Sequence, residues 1–167
     1  MTERILRLTS IRRWLALLAA TLVLAACTPI IAGYSLQAYT NATQLKAETL
    51  ALIAISGEPW ADHAAEARAL QTRLDGAYEF SAGTAYNQEA TAMWAIIRDR
   101  SQDALLGSFF VRWSKGPTGE AYRTRKLRRI RLAFDRLICL EANKKEKTAC
   151  PAMNPDAADA ATETGNE

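Results

Sequence analysis

The sequence predicts an all-α protein: an antiparallel helical bundle of about four long helices plus one short helix, following an N-terminal signal segment. Three observations lead there. Apolar residues recur at three- and four-residue steps from about residue 35 to 145, no stretch alternates as a half-buried strand would, and short Gly-, Pro- and Ser-containing segments divide the periodic runs. The bulk composition agrees. A chain of 167 residues, 49% hydrophobic, with eight Gly and five Pro, has the make-up of one ordinary globular domain and excludes collagen-like and fully disordered classes.

The first helix is expected over residues 35–56, with Leu36, Tyr39, Leu45, Leu50, Leu52, Ile53 and Ile55, and it stops at Gly57-Glu58-Pro59. Pro59 suits the first turn of the second helix, where Trp60, Ala64, Ala67, Leu70, Leu74 and Tyr78 follow at helical steps. A loop at Ser81-Ala82-Gly83-Thr84 leads to a third helix with Asn87 as N-cap, carrying Met93, Trp94, Ile96 and Ile97 and ending in the charged segment 98–100. Ser101 is the expected cap of a short fourth helix, with Asp103 in its first turn. Leu105, Phe109 and Trp113 fall on one line of that helix, beside Leu106 and Phe110. Gly116-Pro117-Thr118-Gly119 enforces a turn. The longest helix then spans about 120–145, with Leu127, Ile130, Phe134, Leu137, Ile138 and Glu141 on one side. Short connections between amphipathic helices favour antiparallel neighbours. The expected core is Leu45, Leu52, Leu70, Leu74, Trp94, Ile97, Phe109, Ile130, Phe134 and Leu137.

Before the bundle, Arg4, Arg7, Arg12 and Arg13 precede an uncharged apolar run at 14–26, the layout of a secretory signal. Its 13 residues fall short of the roughly 20 that span a bilayer as a helix. The run ends in Leu24-Ala25-Ala26-Cys27, and here the chain resembles bacterial lipoproteins. The resemblance is confined to the export segment and rests on the lipobox. It implies cleavage between Ala26 and Cys27, with Leu24 and Ala25 completing the motif and Cys27 as lipid acceptor and new N-terminus. Several acyl chains on one residue hold a protein stably, since each buried methylene contributes about 0.8 kcal/mol. Thr28 after the cysteine, where Asp would favour inner-membrane retention, implies the outer membrane facing the periplasm. The alternative is an uncleaved anchor, the apolar run continuing through Ile30, Ile31 and Ala32, but Thr28 and Pro29 interrupt it. The expected organisation is therefore a signal peptide at 1–26, a lipidated N-terminus and tether at 27–34, a bundle at 35–147 and a disordered acidic tail at 148–167.

Export delivers the chain to an oxidising compartment, where Cys139 and Cys150 are the intrachain pair available for a disulfide. Bridging them requires the chain to leave its last helix and fold back. The other reading is a buried Cys139 acting as a small hydrophobe and an unbridged Cys150.

Charge is distributed unevenly. The formal net charge is +3, and removal of the signal takes away Arg4, Arg7, Arg12, Arg13 and Glu3, leaving a formally neutral chain. Within it, residues 123–147 hold ten cations against Asp135, Glu141 and Glu146, a local charge of +7. Arg125, Lys126, Arg128, Arg129 and Arg136 are the candidate contacts for an anionic lipid or an acidic protein partner. The opposing reading is a solvated helix face neutralised by neighbouring acids or by the tail. Nucleic acid is not expected for an exported chain.

Catalytic signals are sparse. There is no nucleophile elbow, phosphate-cradling Gly loop or Cys–His arrangement, and no cofactor is called for. His63 and Glu66 share a helix face, but two donors do not make a metal site. Two functional classes follow. One is a lipid-anchored interaction or structural module; the other is a small-molecule-binding or sensor-like bundle with a cavity near Trp60, Trp94, Phe109 and Trp113.

Overall fold

The computed structural model describes residues 31–101 and 105–146, with side chains through Lys144. The export segment with Leu24, Ala25, Ala26 and Cys27, together with Cys150 and the acidic tail, lies outside the described residues. Among the described residues there are five helices: α1 (Leu36–Ala54), α2 (Trp60–Ala82), α3 (Gln88–Arg98), α4 (Leu106–Trp113) and α5 (Glu120–Glu146). The described residues contain no strand, so the chain is all-α as its periodicity predicts.

Local sequence explains the helix limits. Ser35 caps α1, its Oγ accepting from the Ala38 N–H at 3.3 Å. Pro59 stands at the N-cap of α2 with φ −60°, and Asp62 occupies the first turn, where a carboxylate favours the helix dipole. Gly83 closes α2, donating to Glu79 O. Tyr86, in the left-handed region at φ 60°, then turns the chain into α3.

The helices pack in a ring: α1 on α2, α2 on α3, α3 on α5 and α5 on α1. Side-chain pairs fix the directions. Asp75 meets Arg98 and Ser81 meets Thr91, Trp94 meets Phe134 and Asn87 meets Lys144, and Lys46 meets Asp135 while Ser56 meets Thr118, so a step forward on one helix is a step backward on its neighbour. Glu48 meets Arg73 across the hairpin closed by the short turn at 55–59. The result is an up-down-up-down four-helix bundle, with α4 inside the third connection. The N-terminus of α1 and the C-terminus of α5 share one end. The other end holds the α1–α2 turn, α4 and the start of α5.

All ten expected core residues are buried. Ala42, Ala67, Ala77 and Ala90 are buried too, and their small size lets helix backbones approach. At the bundle centre Trp94 and Phe134 meet edge to face, with centroids 6.0 Å apart. α4 plugs its end of the bundle. Trp113 packs on Trp60 at 5.1 Å and Phe109 at 5.6 Å, and its Nε1 donates to Glu58 O at 2.9 Å. Thr118 completes the closure by donating from its N–H to Ser56 O at 2.8 Å. Trp60, Trp113 and Phe109 therefore pack on one another rather than frame an opening.

Of the two expected caps, Asn87 holds its position and Ser101 is corrected. Asn87 is the N-cap residue of α3 but makes no side-chain capping bond; its Nδ2 donates to Ser81 O and Oγ at 3.2 and 2.8 Å, joining α2 to α3. Ser101 does not cap α4, which begins at Leu106. Its N–H and hydroxyl turn back to Asp99 Oδ1 at 2.7 and 2.6 Å, a local turn that competes with capping. Asp103 lies outside the described residues.

Gly107 tolerates no side chain, because a Cβ there would fall 2.2 Å from the Arg100 backbone. Gly76, in contrast, is an exposed helical glycine with open space around its Cβ position. Gly76→Ala should stabilise the fold by about 0.5–1 kcal/mol by removing the helical glycine penalty, whereas Gly107→Ala should destabilise it. Urea unfolding of the two variants checks both signs.

Candidate functional site

The candidate site is built on α5. Its inward line is Leu127, Ile130, Phe134 and Leu137, the last three fully buried against the other helices. A helix turns about 100° per residue, so residues two before, one before and six after Ile130 face away from this stripe. Arg125, Arg128, Arg129 and Arg136 are accordingly exposed.

Lys126 behaves differently from those four. Four residues before Ile130, it continues the inward line and is only 5% exposed. Its Nζ donates to Leu105 O at 3.0 Å and to Ser108 Oγ at 3.4 Å, so it ties α5 to the start of α4 rather than facing a partner. That corrects the grouping of Lys126 with the exposed arginines. The i−4 relation to Ile130 is the sequence signal that identifies it.

Two acids of α5, Asp135 and Glu141, are engaged by other side chains, while Glu120 in the first turn is exposed. Asp135 takes Lys46 of α1 as ion partner, and Glu141, 1% exposed, takes Lys144 at 2.8 Å. Lys144 also donates to Asn87 Oδ1, which extends the Ser81–Asn87 hydrogen bonds into a buried network joining α2, α3 and α5. Among the described residues, no carboxylate pairs with Arg125, Arg128, Arg129 or Arg136. Neutralisation by neighbouring helices, one of the two sequence readings of this face, is absent within the described bundle.

Cys139 lies farther along α5 and is disulfide-bonded, with its partner outside the described residues. Asn143 Nδ2 reaches its Sγ at 3.4 Å.

His63 is held structurally. Its Nε2 lies 2.7 Å from Glu58 Oε2, its Nδ1 3.6 Å from Glu66 Oε2, and its ring stacks on Trp113 with centroids 5.8 Å apart. The hydrogen bond to Glu58, reinforced by the charges of Glu58 and Glu66, raises the imidazole pKa above its ordinary value against a smaller opposing effect of burial. Among the described residues no group of three or more His, Cys, Asp and Glu side chains could hold a metal ion, and no helix is long and apolar enough to cross a membrane. Compared with protein-family models, curated proteins and solved structures, the chain matches none.

Two measurements test this geometry. Lys126→Ala leaves a buried carbonyl short of its donor and should cost about 1–3 kcal/mol in urea unfolding, while Arg125→Ala and Arg128→Ala should stay within about 0.5 kcal/mol. The raised pKa of His63 means that its protonation favours the folded state. This contribution is complete below the unfolded value of about 6.5 and is lost as pH rises through the higher folded value. The melting temperature followed by circular dichroism should thus fall as pH increases above about 6.5, and His63→Gln should flatten that fall.

Proposed function

We propose that this chain is a lipid-anchored, non-enzymatic interaction module of the cell envelope, held through Cys27 and presenting the arginine face of α5 to an acidic protein partner. With Thr28 after the lipidated cysteine, the proposed site is the periplasmic face of the outer membrane. The observation that supports this reading best is the separation of the chain's entry point from its exposed arginines. Cys27 stands four residues before Ile31, a reach of about 14 Å at most, and the described chain enters at the α1 end of the bundle. Arg128 lies 16 residues before Lys144 on α5, about 24 Å along the helix and toward the opposite end.

An anchored bundle standing on that end carries Arg125, Arg128 and Arg129 away from its own membrane. This favours an acidic protein over the headgroups of the anchoring leaflet as the contact, and confinement to a surface raises the effective concentration of weak binders. The end near the tether has a different character. Ile31, Tyr34, Leu36, Phe80 and Tyr86 are exposed there, and Ala32 N–H donates to Tyr86 O at 2.8 Å, holding the entering chain against the α2–α3 turn. With Cys27 acylated, Cys150 is the disulfide partner left for Cys139, a bridge that restricts the unfolded chain by about 3 kcal/mol in the entropic account.

Two substitutions separate the parts of the proposal. Cys27→Ser should abolish acyl labelling and release the protein from membranes; labelling and attachment that persist overturn the anchor. Combined Arg125→Glu, Arg128→Glu and Arg129→Glu should leave anchoring intact and remove specific crosslinked partners recovered from native membranes. An unchanged crosslinking profile contradicts the arginine-face contact. Loss of binding to anionic vesicles by the same variant, with the crosslinks retained, assigns the face to lipid instead.

A further inference from the structure

A second basic feature lies between α4 and α5, built from residues outside the arginine face. Arg100 and Ser101 from the segment after α3, Ser108, Val111 and Arg112 from α4, Lys115 from the following turn and Tyr122 from α5 enclose a cavity of about 540 Å³. Among the described residues, its walls contain two guanidinium groups, one ammonium and three hydroxyls, and no carboxylate.

Cations predominate among the described residues around the cavity. Arg112 lies over the Tyr122 ring at 4.4 Å, a cation–π contact that uses no hydrogen-bond donor of the guanidinium. Neither Arg112 nor Lys115 is paired with a described carboxylate. Arg100 bonds Asp75 Oδ2 at 2.9 Å, but Asp75 also holds Arg98 at 2.9 Å, so one carboxylate serves two guanidinium groups. Asp99, two residues before Ser101, accepts at its Oδ1 from the Ser101 N–H and hydroxyl.

We infer that this cavity binds a phosphomonoester. A doubly charged tetrahedral group with several acceptor oxygens suits two forked donors and an ammonium better than a single carboxylate does, since guanidinium groups engage phosphate in bidentate fashion. The space exceeds that of the phosphate itself. Half-exposed Val111 and the Tyr122 ring form a less polar wall for the esterified alcohol. The site stands independently of the lipid anchor and of the acidic-partner reading, because none of its three lining cations belongs to the exposed α5 set.

The test is isothermal titration of the full-length chain in neutral detergent micelles, at fixed ionic strength, with glycerol 3-phosphate. Saturable one-to-one binding is expected, weakened at least about tenfold by combined Arg112→Gln and Lys115→Gln and changed less than about twofold by combined Arg125→Gln and Arg129→Gln. Both cavity residues are exposed, so an unchanged melting temperature accompanies the loss of binding. Arg112→Lys, which keeps the charge but loses the fork, should fall in between. A parallel titration with phosphatidic acid in the same micelles distinguishes the source. Binding of both probes marks a phosphomonoester headgroup as acceptable, and binding of glycerol 3-phosphate alone marks a soluble ester. Absence of saturable binding to either probe, or equal weakening by the cavity and α5 variants, overturns the site.

Discussion

Everything in this bundle depends on the narrow apolar line of α5 fitting between α1 and α3. Ile130, Phe134 and Leu137 are fully buried, and the edge-to-face contact of Phe134 with Trp94 sits at their centre. Aromatic residues bury large areas, so one such pair can fix the position of a helix, with Leu127, Ala133, Ile138 and Leu140 packing partly buried beside it. A narrow stripe leaves most of the circumference of α5 available for charge. That is why the most basic segment of the chain can also be a central element of its core.

The same packing sorts the charges. Where the inward line runs beyond its apolar residues, it continues into Lys126 at one end and Glu141 at the other. Each is taken up by partners, Lys126 by Leu105 O and Ser108, Glu141 by Lys144. Asp135 is drawn to Lys46. With Asp135 paired to α1 and Glu141 to Lys144, α5 has exposed arginines without described counter-charges. Exposed ion pairs contribute little to stability, so these arginines are expendable for folding and remain available for recognition. α4 extends the basic character of that end through Arg112 and Lys115, while the end where the chain enters exposes Ile31, Tyr34, Leu36 and Tyr86.

The fold was legible because helix period and loop punctuation agree along the chain. Leu45, Leu70, Trp94, Phe109 and Phe134 each lie on a stripe that the 3.6-residue period identifies, and each is buried. What escaped was the behaviour of polar residues with two competing partners. Ser101 has the chemistry of a cap, yet the Asp99 carboxylate two residues back is nearer than the helix it was expected to start. Asn87 stands at a cap position but is claimed by Ser81 and Lys144, contacts made across helices that no local pattern records. Lys126 was grouped by charge, although its spacing from Ile130 places it inside. The cavity between α4 and α5 was not legible at all, since Arg100, Arg112 and Tyr122 are brought together only by the crossing of α4 over the bundle end.

If Cys27 anchors the chain as proposed, the chain stands on the end where α1 begins and holds the arginines near the start of α5 away from the bilayer. Lipid-attached fluorescence quenchers measure this directly, with the acylated full-length chain in bilayers and a small fluorophore replacing Gln37, exposed in the first turn of α1, or Arg128 near the opposite end. The account predicts strong quenching at position 37 and little at position 128. Equal quenching at both positions, or stronger quenching at 128, would contradict it, because the arginine face would then rest on the membrane that anchors the chain.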